Sequence, residues 1–265
     1  GFHVIDPASG ALGSGDSGVG RLPEPGDIAR VALDVLAARD QASKTLAGRT
    51  VVVTAGGTRE PIDPVRFLGN RSSGRQGLAI GATVRVIAAN IESALLEALP
   101  TGVQVTRVGS ALQMREATID QVVDADALVM TAAVADFRPA SPSEWKMKKD
   151  PTTEDAPTIR LVRNPDILAE IGHSEARPPL VVGFAAETGT DEEILAYGAD
   201  KAARKGADFI CLNRVGDCVG FGDVPNDIRL LDARGTVAGR YFGSKDEVAA
   251  GLVGHMASFL DNLKR

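Results

Sequence analysis

The apolar positions of this chain fall into short unbroken runs, separated by segments whose apolar residues recur at helical spacing. Val51-Val52-Val53, inside the run 50–54, reads as a buried strand because branched side chains follow one another without a polar break. Similar runs predict strands at 83–88, 127–131, 180–185 and 208–212. Helix starts are signalled by capping boxes, in which a hydroxyl and a Glu or Gln three residues on satisfy each other's free N–H groups. Ser110 with Gln113, Thr190 with Glu193 and Ser244 with Glu247 all fit this pattern. Asn164-Pro165 predicts one more start, with Asn164 as the cap and Pro165 as the first helical residue. In the last helix Val248, Leu252, Met256, Phe259 and Leu263 share one face, which should pack on a sheet. Strands alternating with helices predict an α/β fold: a doubly wound, mostly parallel, Rossmann-like sheet with helices on both faces.

Two segments depart from this alternation. Residues 1–26 are dense in Gly and Ser and hold too few apolar residues to pack alone. They read as a flexible tail, or as a ligand-covering loop of a domain whose body is absent. A helical stripe (Ile28, Val31, Val35, Leu36) and a polar linker follow, so the chain divides into 1–48 and a main domain at 49–265. The second departure is the stretch Ser73–Ile80, the whole of one expected crossover helix. At about 12 Å it is short cover for a strand of about 17–20 Å. The spacing therefore points either to a deletion in the chain or, the favoured reading, to residues missing between Ile80 and Gly81.

Candidate chemistry concentrates in Thr54–Gly74, between the strand 50–54 and the helix opening at Gln76. Gly56-Gly57 and Ser72-Ser73-Gly74 form two turns at a strand end and a helix start, where exposed backbone N–H groups favour an anion. Neither turn is a GxGxxG or Walker A fingerprint, so a plain structural turn stays open beside a nucleotide site. The net charge of −6 argues against a general nucleic-acid binder, and no apolar run is long enough to span a membrane. Cys211 and Cys218 have no zinc spacing, and no secretory leader is present at the N-terminus, so a cytoplasmic setting is expected.

Taken together, Thr54–Gly74, Ala132–Arg138, Lys146–Lys149, Leu161–Leu168, Val182–Thr188 and Lys205–Asp208 with Asn213 resemble phosphopantothenoylcysteine synthetase in its bacterial, CTP-dependent form. The match covers roughly residues 49–262, in family order. The resemblance implies that 4′-phosphopantothenate is joined to cysteine in coenzyme A biosynthesis. The substrate carboxylate attacks CTP to give an acyl-cytidylate, and cysteine then displaces CMP. It also implies a homodimer whose site is completed across the interface. Residues 1–26 resemble the end of the phosphopantothenoylcysteine decarboxylase that is fused ahead of the synthetase in many bacteria. Ser14 stands where that family has its proton-donating Cys, and a hydroxyl is far too weak an acid to replace a thiol of about 8.5. No decarboxylase activity is expected, and FMN only if the missing body were present.

The resemblance assigns roles residue by residue. Lys148 would neutralise the triphosphate, with Lys146 and Lys149 beside it on a mobile flap, Pro139–Pro151; the plain alternative is a solvated lysine face. Gly56, Ser72, Ser73 and Gly74 would cradle phosphate. Asp136 would hold Mg²⁺ or the nucleotide, and backbone groups around Ala135 and Phe137 would read the cytosine, with Phe184 alongside. Asn70 would act on the acyl-cytidylate, because an amide can both donate and accept. Arg66 would grip phosphate or carboxylate as a planar fork, with Asn164 and Lys205 as further contacts. Two rivals remain: a nicotinamide-dependent oxidoreductase, which lacks its glycine fingerprint here, and a nucleotide-binding subunit without catalysis.

Overall fold

The structure, a computed structural model, describes residues 5, 7–11, 17–33, 46–80, 85–149, 152, 156–187, 190–214 and 226–264. Its centre is an eight-stranded sheet. In chain order the strands are β3 (Val51–Gly56), β6 (Arg85–Ala89), β7 (Gln104–Val108), β8 (Ala127–Met130), β11 (Leu180–Glu187), β12 (Phe209–Arg214), β13 (Asn226–Asp232) and β14 (Val237–Gly243). The spatial order is β14-β13-β12-β11-β8-β3-β6-β7. All pairs from β7 to β12 are parallel, while β12, β13 and β14 pair antiparallel at one edge.

Three small hairpins stand outside the sheet. They are β1 (Ala8–Ala11) with β2 (Ser17–Arg21), β4 (Arg59–Pro61) with β5 (Phe67–Gly69), and β9 (Phe137–Pro139) with β10 (Leu161–Arg163). The first gives part of the Gly/Ser-rich N-terminus a paired backbone where a structureless tail was one expectation. Ser14 lies outside the described residues. A helix, α1, is described over 25–33.

Helices cover both faces of the sheet: α2 (Arg75–Ile80), α3 (Ser93–Glu97), α4 (Ala111–Val122), α5 (Ile167–Gly172), α6 (Asp191–Lys205) and α7 (Lys245–Leu263). Because strand side chains alternate, Val51 and Val53 enter one core layer while Val52 enters the other. On one side Val129, Val182 and Cys211 meet Val248, Leu252, Met256 and Leu260 of α7. On the other, Leu128, Val181 and Ile210 meet Met114 of α4, Ile167 and Ile171 of α5 and Ile194 of α6. A Rossmann-like order follows, with unbroken apolar runs for strands buried on both faces.

All three capping boxes form as expected, at Ser110, Thr190 and Ser244. The fourth expected cap does not. Asp166, not Asn164, caps α5 by accepting from the Ala169 N–H, so the helix starts two residues later. Asn164 is drawn away because its amide ties β10 to the loop after β8. Leu263, assigned to the buried stripe of the last helix, is exposed in its final turn. Helix α2 is only six residues long. The expected gap falls at residues 81–84, outside the described residues. Among the described residues no helix is long and apolar enough to cross a membrane.

Candidate active site

Connectivity picks the site. From β3 the chain runs outward through β6 to β7, then returns to the other flank of β3 as β8. The order therefore reverses between β3 and β8, and the loops leaving their carboxyl ends must diverge and open a crevice. Gly56-Gly57 leaves β3 there, and residues 131–136 leave β8.

Short hydrogen bonds between loops hold the crevice. The Ala133 N–H donates to the Gly56 carbonyl at 2.8 Å, and the Thr58 N–H donates to the Ala133 carbonyl at 3.2 Å. The Thr58 hydroxyl, fully buried, accepts from the Ala135 N–H at 2.9 Å. Asn90 donates to the carbonyls of both Gly57 and Gly109, joining the ends of β3, β6 and β7. Gly56 and Gly74 take φ values of +87° and +73°, and a Cβ would drive Gly56 into the Ala89 carbonyl and Gly74 into the Ile91 side chain. Only glycine fits this close approach.

The hairpin β4–β5 carries Asn70 to the rim. Its Nδ2 donates to the Val134 carbonyl at 3.2 Å, while the residue stays exposed. Ser72 and Ser73 are exposed next to it, and the Ser72 hydroxyl accepts from the Gly74 N–H at 3.3 Å. The six-residue α2 that follows carries little dipole, so any anion here would rest on local N–H and O–H donors. Asn70, Ser72, Ser73, Gly74 and Gly56 are thus brought together.

Arg66 sits differently from a free fork. Its Nε and Nη2 both donate to the Asp63 carboxylate, and Nη2 also donates to the Met147 carbonyl at 2.9 Å. One edge of the guanidinium is therefore engaged inside the protein. Asp63 is buried, and the Arg66 guanidinium, helped by the N–H groups of Val65, Arg66 and Met147, holds its carboxyl well below the usual carboxylate range. Lys146, Lys148 and Lys149 are exposed on either side of Met147.

In the loop after β8, Ala135 is buried and its backbone is engaged at both ends, with the N–H on Thr58 and the carbonyl accepting from Asn164 at 2.8 Å. The Asp136 carbonyl accepts from the Asn164 N–H, while Asp136 and Phe137 are exposed. Arg138 donates to Asn164 Oδ1 at 3.0 Å. The ammonium of Lys205 pairs with Asp166, two residues beyond Asn164. Phe184 is half-buried and packs against the core layer under α7. Among the described residues no group of three metal-binding side chains exists. Asp136 fits the one role a lone exposed carboxylate can fill, completing the shell of a hard cation already held by phosphates.

Residues 46–260 match the family model described as the DNA/pantothenate metabolism flavoprotein C-terminal domain. The chain belongs to this family. It is 44% identical to the coenzyme A biosynthesis bifunctional protein CoaBC of Mycobacterium tuberculosis, over 98% of this chain and 64% of that protein. It therefore spans about two thirds of that relative's length. Their alignment runs over 273 positions, more than the 265 residues present, so it contains positions that this chain lacks. Among solved structures, the C-terminal domain of a CoaBC protein superposes with a TM-score of 0.64 at 28% identity, covering 83% of this chain and 100% of that one. The Cab2 mutant H337A in complex with phosphopantothenate-cysteine shares the fold, with a TM-score of 0.60 at 13% identity, covering 92% of this chain and 97% of that one.

In this member of the family the residues that sequence reasoning passed over are those that hold the site: Thr58, Asp63, Asn90 and Arg138. Asp63 carried a signal, since Asp before Pro three residues ahead of Arg66 is turn chemistry. Thr58 and Asn90 carried none, because their partners lie in the loops that leave other strands.

Proposed function

We propose that this chain ligates 4′-phosphopantothenate to cysteine with CTP as co-substrate, through an acyl-cytidylate. The observation that carries this reading is the meeting, at the switch point, of an oriented amide (Asn70) and a hydroxyl-bearing turn (72–74), with a lysine-bearing loop docked on the turn of the hairpin that leads to Asn70. The family match, the CoaBC relative and the fold neighbour bound to phosphopantothenate-cysteine support it. The two rivals, an oxidoreductase and a silent nucleotide-binding subunit, draw on no observation beyond the shared crevice.

In the first step the substrate carboxylate oxygen bonds to the α-phosphorus of CTP, and pyrophosphate leaves with the electrons of the broken P–O bond. Lys148, with Lys146 and Lys149, offsets the charge on the leaving phosphates, while the exposed hydroxyls of Ser72 and Ser73 hold their oxygens in line. A Mg²⁺ at Asp136 would supply further charge neutralisation. In the second step the cysteine amine attacks the acyl carbon, and CMP departs with the C–O electrons as the amine loses a proton. Asn70 holds the oxygen that becomes negative. Arg59, Arg71 and Arg138 add positive charge around the crevice of a chain whose net charge is −6, which favours four anionic groups meeting there.

A homodimer in a cytoplasmic setting belongs to the same proposal. Val65, Phe67, Phe137, Trp145 and Leu161 are exposed on the two hairpins and the loop beside the site, more apolar surface than a lone small element needs to show. The deciding experiment is a pyrophosphate-release assay with phosphopantothenate, cysteine and Mg²⁺. Release with CTP, far above that with ATP, is expected. Release that needs no phosphopantothenate, or none with either nucleotide, would overturn the proposal.

A further inference from the structure

Asp63, buried in the turn between β4 and β5, accepts five hydrogen bonds. Its Oδ1 accepts from the N–H groups of Val65 and Arg66 at 2.8 Å each, closing the turn between β4 and β5. Its Oδ2 accepts from Arg66 Nε at 2.9 Å, from Arg66 Nη2, and from the Met147 N–H at 3.2 Å. Met147 lies between Lys146 and Lys148, far away in sequence. Both of its polar backbone groups are held: the N–H by Asp63, and the carbonyl by Arg66 at 2.9 Å. A third tie, from the Ser143 N–H to the Ile62 carbonyl at 2.9 Å, docks the start of the same loop on the same turn.

We propose that Asp63 is a positioning residue that latches the lysine loop onto the β4–β5 turn. The segment expected to be a mobile flap is then fixed at Met147, and Lys146 and Lys148 keep only their side-chain freedom. The physical reason is local. A buried carboxylate needs several donors at once, and the turn supplies the N–H groups of Val65 and Arg66 together with the Arg66 guanidinium. The Met147 N–H is the one donor that comes from outside the turn, and it is this bond that ties the loop to the carboxylate. The latch also sets Arg66, because the edge facing Asp63 is closed to a ligand and only the Nη1 end lies outside these bonds. One turn thereby sets the arginine and the backbone of the loop that carries the lysines.

That these lysines serve catalysis rests on the function proposed above, so the test has one arm that does not depend on it. Asp63→Asn keeps the size but removes the charge and turns one acceptor into a donor facing the Met147 N–H. Trypsin cleavage after Lys148 and Lys149, followed by mass spectrometry, should speed up about tenfold in this variant, as expected from losing a hydrogen bond to a charged group. Cleavage at exposed sites such as Arg204 should not change. Met147→Pro removes the same N–H from the loop side without touching Asp63 or Arg66, and it should speed cleavage after Lys148 in the same direction. It also covers the case in which Asp63→Asn fails to fold. In the ligase assay Asp63→Asn should lower kcat about tenfold or more with a smaller change in KM for CTP, because lysines are misplaced rather than removed. Asp63→Glu, which keeps the charge, should recover part of the loss. Unchanged cleavage after Lys148 in folded variants would overturn the latch whatever the activity. A wild type without ligase activity, but with faster cleavage in both variants, would keep the latch and remove the proposed function.

Discussion

Replacing Asn70 by Asp should separate the two half-reactions. Asn70 Nδ2 donates one hydrogen to the Val134 carbonyl at 3.2 Å, and this contact sets which way the amide faces. An amide has two N–H donors and a carbonyl acceptor, so one donor and the Oδ1 remain for the reacting group. Activation of the carboxylate needs cationic neutralisation, to which a single neutral donor adds little. Attack by cysteine builds negative charge on the acyl oxygen, and there the remaining donor counts. Loss of one such donor costs about 3–4 kcal/mol, or roughly 10²–10³-fold in rate. Aspartate also puts a carboxylate against the Val134 carbonyl, so the side chain turns away and no protein group replaces the donor. Asn70→Asp should therefore still release pyrophosphate, accumulate acyl-cytidylate, and ligate cysteine roughly 10²–10³-fold more slowly. Quenched reactions without and then with cysteine, read by mass spectrometry, would show the trapped intermediate. Asn70→Ala, which loses the donor without the added charge, should behave alike. If pyrophosphate release fell in step with ligation, Asn70 would serve binding or activation, and the role argued here would be refuted.

Two further expectations follow from the same geometry. Lys148→Gln should lower kcat more than it raises KM for CTP, since its charge matters most as pyrophosphate departs; unchanged steady-state kinetics would return the exposed lysines to a solvated face. The carboxyls of Asp124 and Glu170 are held below their usual values by the guanidinium groups of Arg85 and Arg115, and that of Asp63 by Arg66. Groups depressed on folding contribute stability above their unfolded pKa of about 4 and lose it as pH falls through the folded value, so the contribution of these carboxyls should stay level down to about pH 5 and Tm should drop below about 4. A Tm that climbs as pH falls from 5 to 3 would contradict these pairings.

What the sequence by itself determined is what local chemistry decides. The branched runs became strands wherever both faces are buried, as in Val51–Val53 and Leu180–Val182, because such a run carries its own period and needs no partner to be read. The boxes at Ser110, Thr190 and Ser244 formed because donor and acceptor lie three residues apart. Strand β7 escaped notice because its face is largely exposed and Gln104, Thr106 and Arg107 break its apolar run. The antiparallel pair β13–β14 escaped because only its register against β12 makes it part of the sheet. The Pro beside Asn164 predicts a cap there, yet its amide is engaged by the Ala135 carbonyl, far away in sequence, and Asp166 caps the helix instead. The crevice itself was legible only as a cluster of turn residues. Its position depends on strand order, and strand order is set by which buried faces complete one another, a property that no single segment contains. The same holds for Arg66. Its residue type promised an open fork, but the choice between a ligand and Asp63 was made by the fold, which buried that carboxylate within reach and left it in need of donors.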